Sequence, residues 1–180
     1  MRIITGKRKG SKLVGPLGEN TRPTESRIKE SIFNILGNVN DSYVLDLFSG
    51  SGSIGLEFLS RGSKEVYLVD NNKNAIKAIN TNVKKLNLPG AHVIQSSYLD
   101  ALSDISKKNV EFDFIYVDPP YDAVDIYDKT LEYLNKYDNF FNSLIIVETK
   151  KDININNLKL FNIIDMRQYR DTIVYFLRRQ

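Results

Sequence analysis

Asp118-Pro119-Pro120-Tyr121 closes the apolar run from Phe112 to Val117, and these residue types in this order suit the grip of a flat, amino-bearing base. The two prolines lack N–H groups and hold φ near one value, so they stiffen a loop at a strand end. The Asp118 carboxylate and the Pro119 carbonyl would then aim at one point as two acceptors. An amine on an aromatic ring is a poor nucleophile, because its lone pair is delocalised into the ring. Two acceptors on its two N–H bonds draw the nitrogen toward a pyramidal, reactive geometry. Tyr121 offers a face on which the base can stack. The chemistry this implies is attack by an amine on an activated methyl group. The plainer alternative is a Pro-Pro turn after a core strand, with Asp118 as turn former and Tyr121 as edge packing.

A second cluster lies upstream, in Asp46-Leu47-Phe48-Ser49-Gly50-Ser51-Gly52-Ser53-Ile54-Gly55, with Asp70 following 20 residues after Gly50. Gly50, Gly52 and Gly55 satisfy G-x-G-x-x-G, the spacing of a dinucleotide loop with an acid on the ribose hydroxyls. A nicotinamide-dependent oxidoreductase therefore competes. Close backbone approach and a ribose-binding acid serve any adenosine cofactor, however. Asp46, four residues before Gly50, suits the ammonium and sulfonium charges of S-adenosylmethionine and would repel a pyrophosphate. A hydride-transfer enzyme has no evident use for Asp-Pro-Pro-Tyr, so the expected cofactor is S-adenosylmethionine.

The composition removes other chemistries. The 180 residues contain no cysteine and one histidine, His92, so thiolate ligands, disulfides and cysteine nucleophiles are absent. Methylation at C5 of a pyrimidine generally needs a thiolate and is not open to this chain. His92 opens the run Val93-Ile94 after Pro89-Gly90 and reads as a strand residue, so no metal is expected. No stretch approaches the ~20 apolar residues of a membrane span, and the N-terminus lacks a signal-peptide core. The expected location is the cytoplasm.

Charge is unevenly spread. Residues 1–30 carry eight Lys/Arg against three acids, a balance of +5, whereas the other 150 carry 17 against 19, a balance of −2. A basic segment on a nearly neutral body is an electrostatic footprint for a phosphate backbone. A solvated charged loop is the equal alternative from charge alone.

Positioning these groups requires a scaffold. Residues 2–5 and 11–14 flank a polar, Gly-containing tip and read as a short basic β-hairpin, followed by loop. Ile28, Ile32, Ile35 and Leu36 keep helical spacing over 25–36. Strands are then expected at 43–48, 65–70, 92–96, 112–117 and 143–148, with helices at 53–61, 73–87, 98–107 and 124–137. Apolar strands alternating with helices mean a parallel sheet covered on both sides. The segments 159–168 and 171–177 are linked too tightly for a parallel crossover and must pair antiparallel. The expected fold is α/β: a Rossmann-like class I methyltransferase with a seven-stranded, mostly parallel sheet, an antiparallel last strand and an N-terminal hairpin. It reads as one domain over 1–180, divided into a basic extension (1–20), an N-terminal helix (21–40) and the core (41–180).

Over nearly its whole length the chain resembles RsmD, the bacterial 16S ribosomal RNA guanine-N2 methyltransferases. The likeness rests on Arg2-Ile3-Ile4-x-Gly6-x-x-Lys9-Gly10-x-x-Leu13, on Arg22-Pro23-Thr24 with Arg27, Glu30, Phe33 and Asn34, and on the Asp46–Gly52 and Val117–Tyr121 segments. The Asp-Pro-Pro-Tyr box alone also permits other amino acceptors such as adenine N6. The resemblance implies methylation of a guanine N2 in 16S ribosomal RNA, free or within the small subunit or an assembly intermediate. It places Asp118 and Pro119 on the amine, with Pro120 and Tyr121 completing the catalytic box. Asp46, Phe48, Ser49, Gly50, Ser51 and Gly52 would seat the methionine portion, Asp70 the ribose, and Ser97 and Tyr98 the adenine, with Asn71 also at the cofactor. Arg2, Lys7, Arg8, Lys9, Lys12, Arg22 and Thr24 would meet RNA. The chain departs from the family at three places. Ser97 stands for the usual Asp or Asn. Asp70-Asn71-Asn72 stands for an acidic pair, whose second member reads as a helix cap. Tyr169-Arg170-Asp171-Thr172 stands for Tyr-Gly-Asp-Thr.

Overall fold

In a computed structural model helices and strands alternate along the chain. They run α1 (Pro23–Leu36), β1 (Tyr43–Asp46), α2 (Ser53–Ser60), β2 (Glu65–Asp70), α3 (Lys73–Leu86) and β3 (Ala91–Gln95). They continue α4 (Tyr98–Ser106), β4 (Phe114–Val117), α5 (Val124–Lys136), β5 (Leu144–Lys150), β6 (Phe161–Tyr169) and β7 (Thr172–Arg179). The structure describes residues 1–16, 23–108, 110–120 and 124–180, and only the backbone of 23–25. Tyr121, Arg22 and the Thr24 side chain lie outside the described residues.

The seven strands are ordered β3-β2-β1-β4-β5-β7-β6, with β1 to β5 mutually parallel and β7 inserted antiparallel between β5 and β6. This is the expected sheet. β1 stops at Asp46, two residues early. There Ser49 Oγ donates to the Asp46 carbonyl (2.7 Å) and Ser49 N–H to Val69 O (2.9 Å), which turns the chain out of the strand.

Two-residue alternation sorts the strand side chains between two faces. Leu45, Ile115, Val117, Ile145 and Val147 pack with Leu102, Ile105, Tyr127, Leu131 and Leu134 of α4 and α5. On the other face, Val44, Val66 and Leu68 meet α2 and α3. Beside them, Tyr116, Ile146, Val174 and Phe176 meet Ile28 and Ile32 of α1.

The N-terminal hairpin is reduced to one antiparallel bridge, Arg2↔Lys12. Around it Ile3 N–H donates to Ser11 O (2.9 Å), Gly10 N–H to Ile3 O (2.8 Å) and Leu13 N–H to Met1 O (3.1 Å), and α2 takes further backbone groups of the arm. Ile4 and Thr5 N–H donate to the two Glu57 carboxylate oxygens (2.8 and 2.9 Å), Lys7 N–H to Ser60 O (2.7 Å) and Arg8 N–H to Ser60 Oγ (3.0 Å). Gly6, at φ +84°, lets this approach happen, since a Cβ there would lie 1.8 Å from Ser60 O. Ile3 and Leu13 are buried beneath the arm. Lys29 Nζ donates to Arg2 O (2.8 Å) and Ser53 Oγ (3.0 Å), and Asn82 Nδ2 bridges Val14 O and Ser51 O (both 2.9 Å). The arm is thus bolted to the helix and loop that follow β1.

Candidate active site

The strand order reverses between β1 and β4, and crevices at the carboxyl ends of such strands are where ligands bind in open α/β sheets. A cleft of about 640 Å³ opens there. After β1 the chain enters the glycine loop, where Gly50 adopts φ +54° and a Cβ would meet nothing within 4 Å. Asp70, at the end of β2, pins this loop. Its Oδ2 accepts from Gly50 N–H (2.8 Å) and its Oδ1 from Asn72 N–H (2.8 Å). Each carboxylate oxygen has a second lone pair for a ligand hydroxyl.

Of the residues expected to hold a cofactor, Phe48, Gly50, Asp70, Asn71, Ser97 and Tyr98 line the cleft. The Phe48 and Tyr98 rings pair at 5.5 Å between centroids. Burial first, then the Asp125 charge, raises the Tyr98 hydroxyl pKa, keeping it a neutral donor. Ser97 caps α4: its Oγ accepts from Asp100 N–H (3.2 Å) and donates to Asp100 Oδ2 (2.7 Å). Asn72 caps α3 by accepting from Asn74 N–H (2.8 Å).

Asp46, Ser49, Ser51 and Gly52 are not among the cleft-lining residues and are all buried. They form the loop's underside. Ser51 turns toward the arm, with its Oγ 3.1 Å from Met1 Sδ. Asp46 Oδ2 accepts from Gly55 N–H (3.0 Å), while Oδ1 is buried with no hydrogen-bond partner. Burial, followed by the Asp70 charge, raises the Asp46 pKa to about 7. A buried acceptor short of a donor, under a loop pinned by a second acid, fits a ligand carrying positive charge.

Asp118, Pro119 and Pro120 line the same cleft. Asp118 follows the buried Val117 directly and is half-buried, Pro119 is buried and Pro120 is exposed. On the same face, Tyr116 donates to the Glu148 carboxylate. Burial, then the Glu148 and Asp118 charges, pushes the Tyr116 hydroxyl pKa well up. The sequence reading missed Leu47, Asn72, Ala75, Ser96, Ile126 and Lys150 as cleft residues. Lys150 falls past the strand expected at 143–148, since β5 runs on to it, and Ile126 on α5 had no distinguishing signal.

The arm cations divide. Arg2, Lys7, Lys9 and Lys12 lie on its outer side, whereas Arg8 is half-buried with Nη2 on Asn87 O (3.4 Å). Among the described residues no helix is long and apolar enough to cross a membrane.

A parallel sheet of this order with an antiparallel β7, a glycine loop after β1 and an acid ending β2 define a Rossmann-like methyltransferase. Residues 1–178 match the family described as "Conserved hypothetical protein 95", and the chain belongs to that family. "Ribosomal RNA small subunit methyltransferase D" of Haemophilus influenzae is 36% identical over 84% of this chain and 80% of its own. The protein of that name from Buchnera aphidicola subsp. Baizongia pistaciae is 33% identical over 86% and 78%. These relatives bear out the resemblance to RsmD. The solved structure of yhhF from Escherichia coli, described as a candidate methyltransferase, superposes with a TM-score of 0.83 at 26% identity, covering 100% of this chain and 98% of that one. The nicotinamide alternative left open by the glycine spacing is set aside.

Proposed function

We propose that this enzyme transfers a methyl group from S-adenosylmethionine to the exocyclic N2 of a guanine in 16S ribosomal RNA, free or within the small subunit or an assembly intermediate. One observation carries the reading: the Asp118-Pro119 acceptor pair lines the same cleft as Gly50 and Asp70. The names of the Haemophilus and Buchnera relatives support ribosomal RNA as the acceptor class. The family resemblance supports guanine N2. The cofactor supplies an electrophilic methyl on a sulfonium.

Residues of this chain do the rest. Gly50 and its loop seat the methionine portion, with the Asp46 charge beneath it. Asp70 takes the ribose hydroxyls on its remaining lone pairs, and Ser97, Tyr98 and Phe48 border the adenine. The acceptor base leaves its stack, as enzymes acting on a base require. Asp118 and the Pro119 carbonyl then hold its amine for in-line attack, Pro120 keeps the pair rigid, and Tyr121 stacks on the base. Much of the rate comes from that positioning. The Asp118 charge also stabilises the positive charge growing on the nitrogen. Arg2, Lys7, Arg8, Lys9, Lys12, Arg22 and Thr24 contact the RNA. Residues 1–20 and 21–40 extend the 41–180 core within one domain.

Asp118→Ala should lower turnover at least about a hundredfold, with cofactor affinity by calorimetric titration close to wild type. Wild-type turnover in that variant would remove Asp118 from the reaction.

A further inference from the structure

Two acceptors aimed at an amine do not identify guanine. Adenine and cytosine also present exocyclic N–H groups, and each would satisfy Asp118 and Pro119. Discrimination needs a group that reads something else on the base edge. Guanine carries a carbonyl oxygen, O6, at the far end of the edge that bears N2. A donor placed there pairs with guanine, whereas adenine, held by its one exocyclic amine, presents only C2–H at that position.

Among the described residues that line the cleft, the charged side chains are Asp70, Asp118 and Lys150. Lys150 is the cation of that set. It is the last residue of β5, the strand parallel and adjacent to β4, with Val147 paired to Val117. By alternation Ile146, Glu148 and Lys150 share one face of β5. That face is also the one Tyr116 occupies, as the Tyr116–Glu148 hydrogen bond and the shared packing of Tyr116 with Ile146 demonstrate. Asp118 follows Tyr116 by two residues. The acceptor pair and the ammonium therefore border one space from neighbouring strand ends. Lys150 is half-exposed and is tethered by the Lys150↔Thr172 pairing of β5 with β7, which fixes its backbone.

We propose that Lys150 donates to O6 of the acceptor guanine and so selects guanine over adenine, which has no oxygen there. The inference rests on the guanine-N2 reading of the site. Lys150 is a specificity residue in this account, with the amine still held by Asp118 and Pro119.

The test uses the full-length enzyme and a small-subunit ribosomal RNA fragment with either guanosine or 2-aminopurine at the methylated position. 2-Aminopurine keeps the C2 amine and lacks O6. Single-turnover methyl transfer is measured for wild type, Lys150→Met and Lys150→Arg. The wild type should favour guanosine. Lys150→Met should lose about tenfold to a hundredfold on guanosine, the range for a hydrogen bond from a charged group. Its rate on 2-aminopurine should match wild type, so the ratio between the two substrates collapses. Lys150→Arg should restore much of the ratio. Equal slowing on both substrates would overturn the proposal and indicate a phosphate contact; no change on either would also overturn it. Should the wild type methylate neither RNA, the guanine reading itself fails, which is distinct from a wild type active on guanosine whose preference survives Lys150→Met.

Discussion

Glu57 and Asp46 are both carboxylates with almost no exposed surface, 0% and 1%, and both engage α2. Glu57 is surrounded by donors: Ile4 and Thr5 N–H, Arg61 Nε at 2.9 Å and Lys29 Nζ at 3.3 Å. Asp46 has one donor at Oδ2 and none at Oδ1. A buried charge with a full set of partners clamps two elements together, here the arm and α2. A buried charge short of partners is costly, and a cationic ligand nearby relieves that cost. The difference separates a carboxylate that ties two elements together from one left short of donors beneath the glycine loop.

The contrast can be broken from either side. Glu57→Ala should destabilise most, by about 3–5 kcal/mol in denaturant titration, because it takes the counter-charge from the buried Lys29 ammonium and the acceptor from two arm N–H groups. Unchanged stability would mean that the arm is held by other interactions.

Asp46 should act in the opposite sense. Its folded pKa of about 7 lies above the ordinary 3.8, so between those values the native state holds a proton that the unfolded chain has released. Stability should therefore fall as pH rises from about 4 to about 7 and level off above that. Asp46→Asn should remove most of that slope, a change of a few kcal/mol at about 1.4 kcal/mol per pKa unit. Midpoints measured from pH 4 to 8 decide it, and an identical slope in the variant would locate the effect elsewhere.

The arm clamped by Glu57 presents its outer cations to solvent. Replacing Lys7, Lys9 and Lys12 with Gln should weaken RNA binding roughly tenfold or more at moderate salt. It should also make the slope of log affinity against log salt shallower, by up to about 0.9 for each phosphate no longer neutralised. An unaltered slope would return the arm to a solvated loop.

The smallest effect belongs to the turn between β6 and β7. Arg170 sits at φ +29°, a region that favours glycine, and the family pattern has glycine there. Arg170→Gly should raise stability by less than about 1 kcal/mol, since relief of the backbone is partly offset by glycine's freedom in the unfolded chain. Loss of stability would show that the arginine side chain holds the turn.

Much of this fold could be read from residue order. The five parallel strands and their helices lie within a few residues of the spacing-based expectation, because burial on both faces writes continuous apolar runs and helical packing writes a 3.6-residue repeat. The closing antiparallel pair followed from the short link between 168 and 171. The N-terminal hairpin was legible from the segments flanking its Gly-containing tip, and they do pair antiparallel. Its docking was not: alternation at 2–5 and 11–14 specifies two extended segments, and no local pattern shows that Glu57 of α2 takes the Ile4 and Thr5 N–H groups. Within the site, Asp70, Asp118 and Pro119 were legible because their residue types sit at strand ends. Lys150 was not, as a lysine ending a strand looks like any solubilising charge.

Taken alone, residue order determined the succession of elements, the glycine loop, the Asp-Pro-Pro box and the basic start of the chain, since each depends on neighbours a few positions apart. Only the tertiary structure decided which members of the Asp46–Gly52 segment face the cleft and which form its underside. It also decided that the arm locks onto α2, and that Lys150 joins Asp118 from the adjacent strand. Those outcomes depend on packing between residues tens of positions apart, where strand register and helix approach select the partners and local pattern carries no record of the choice.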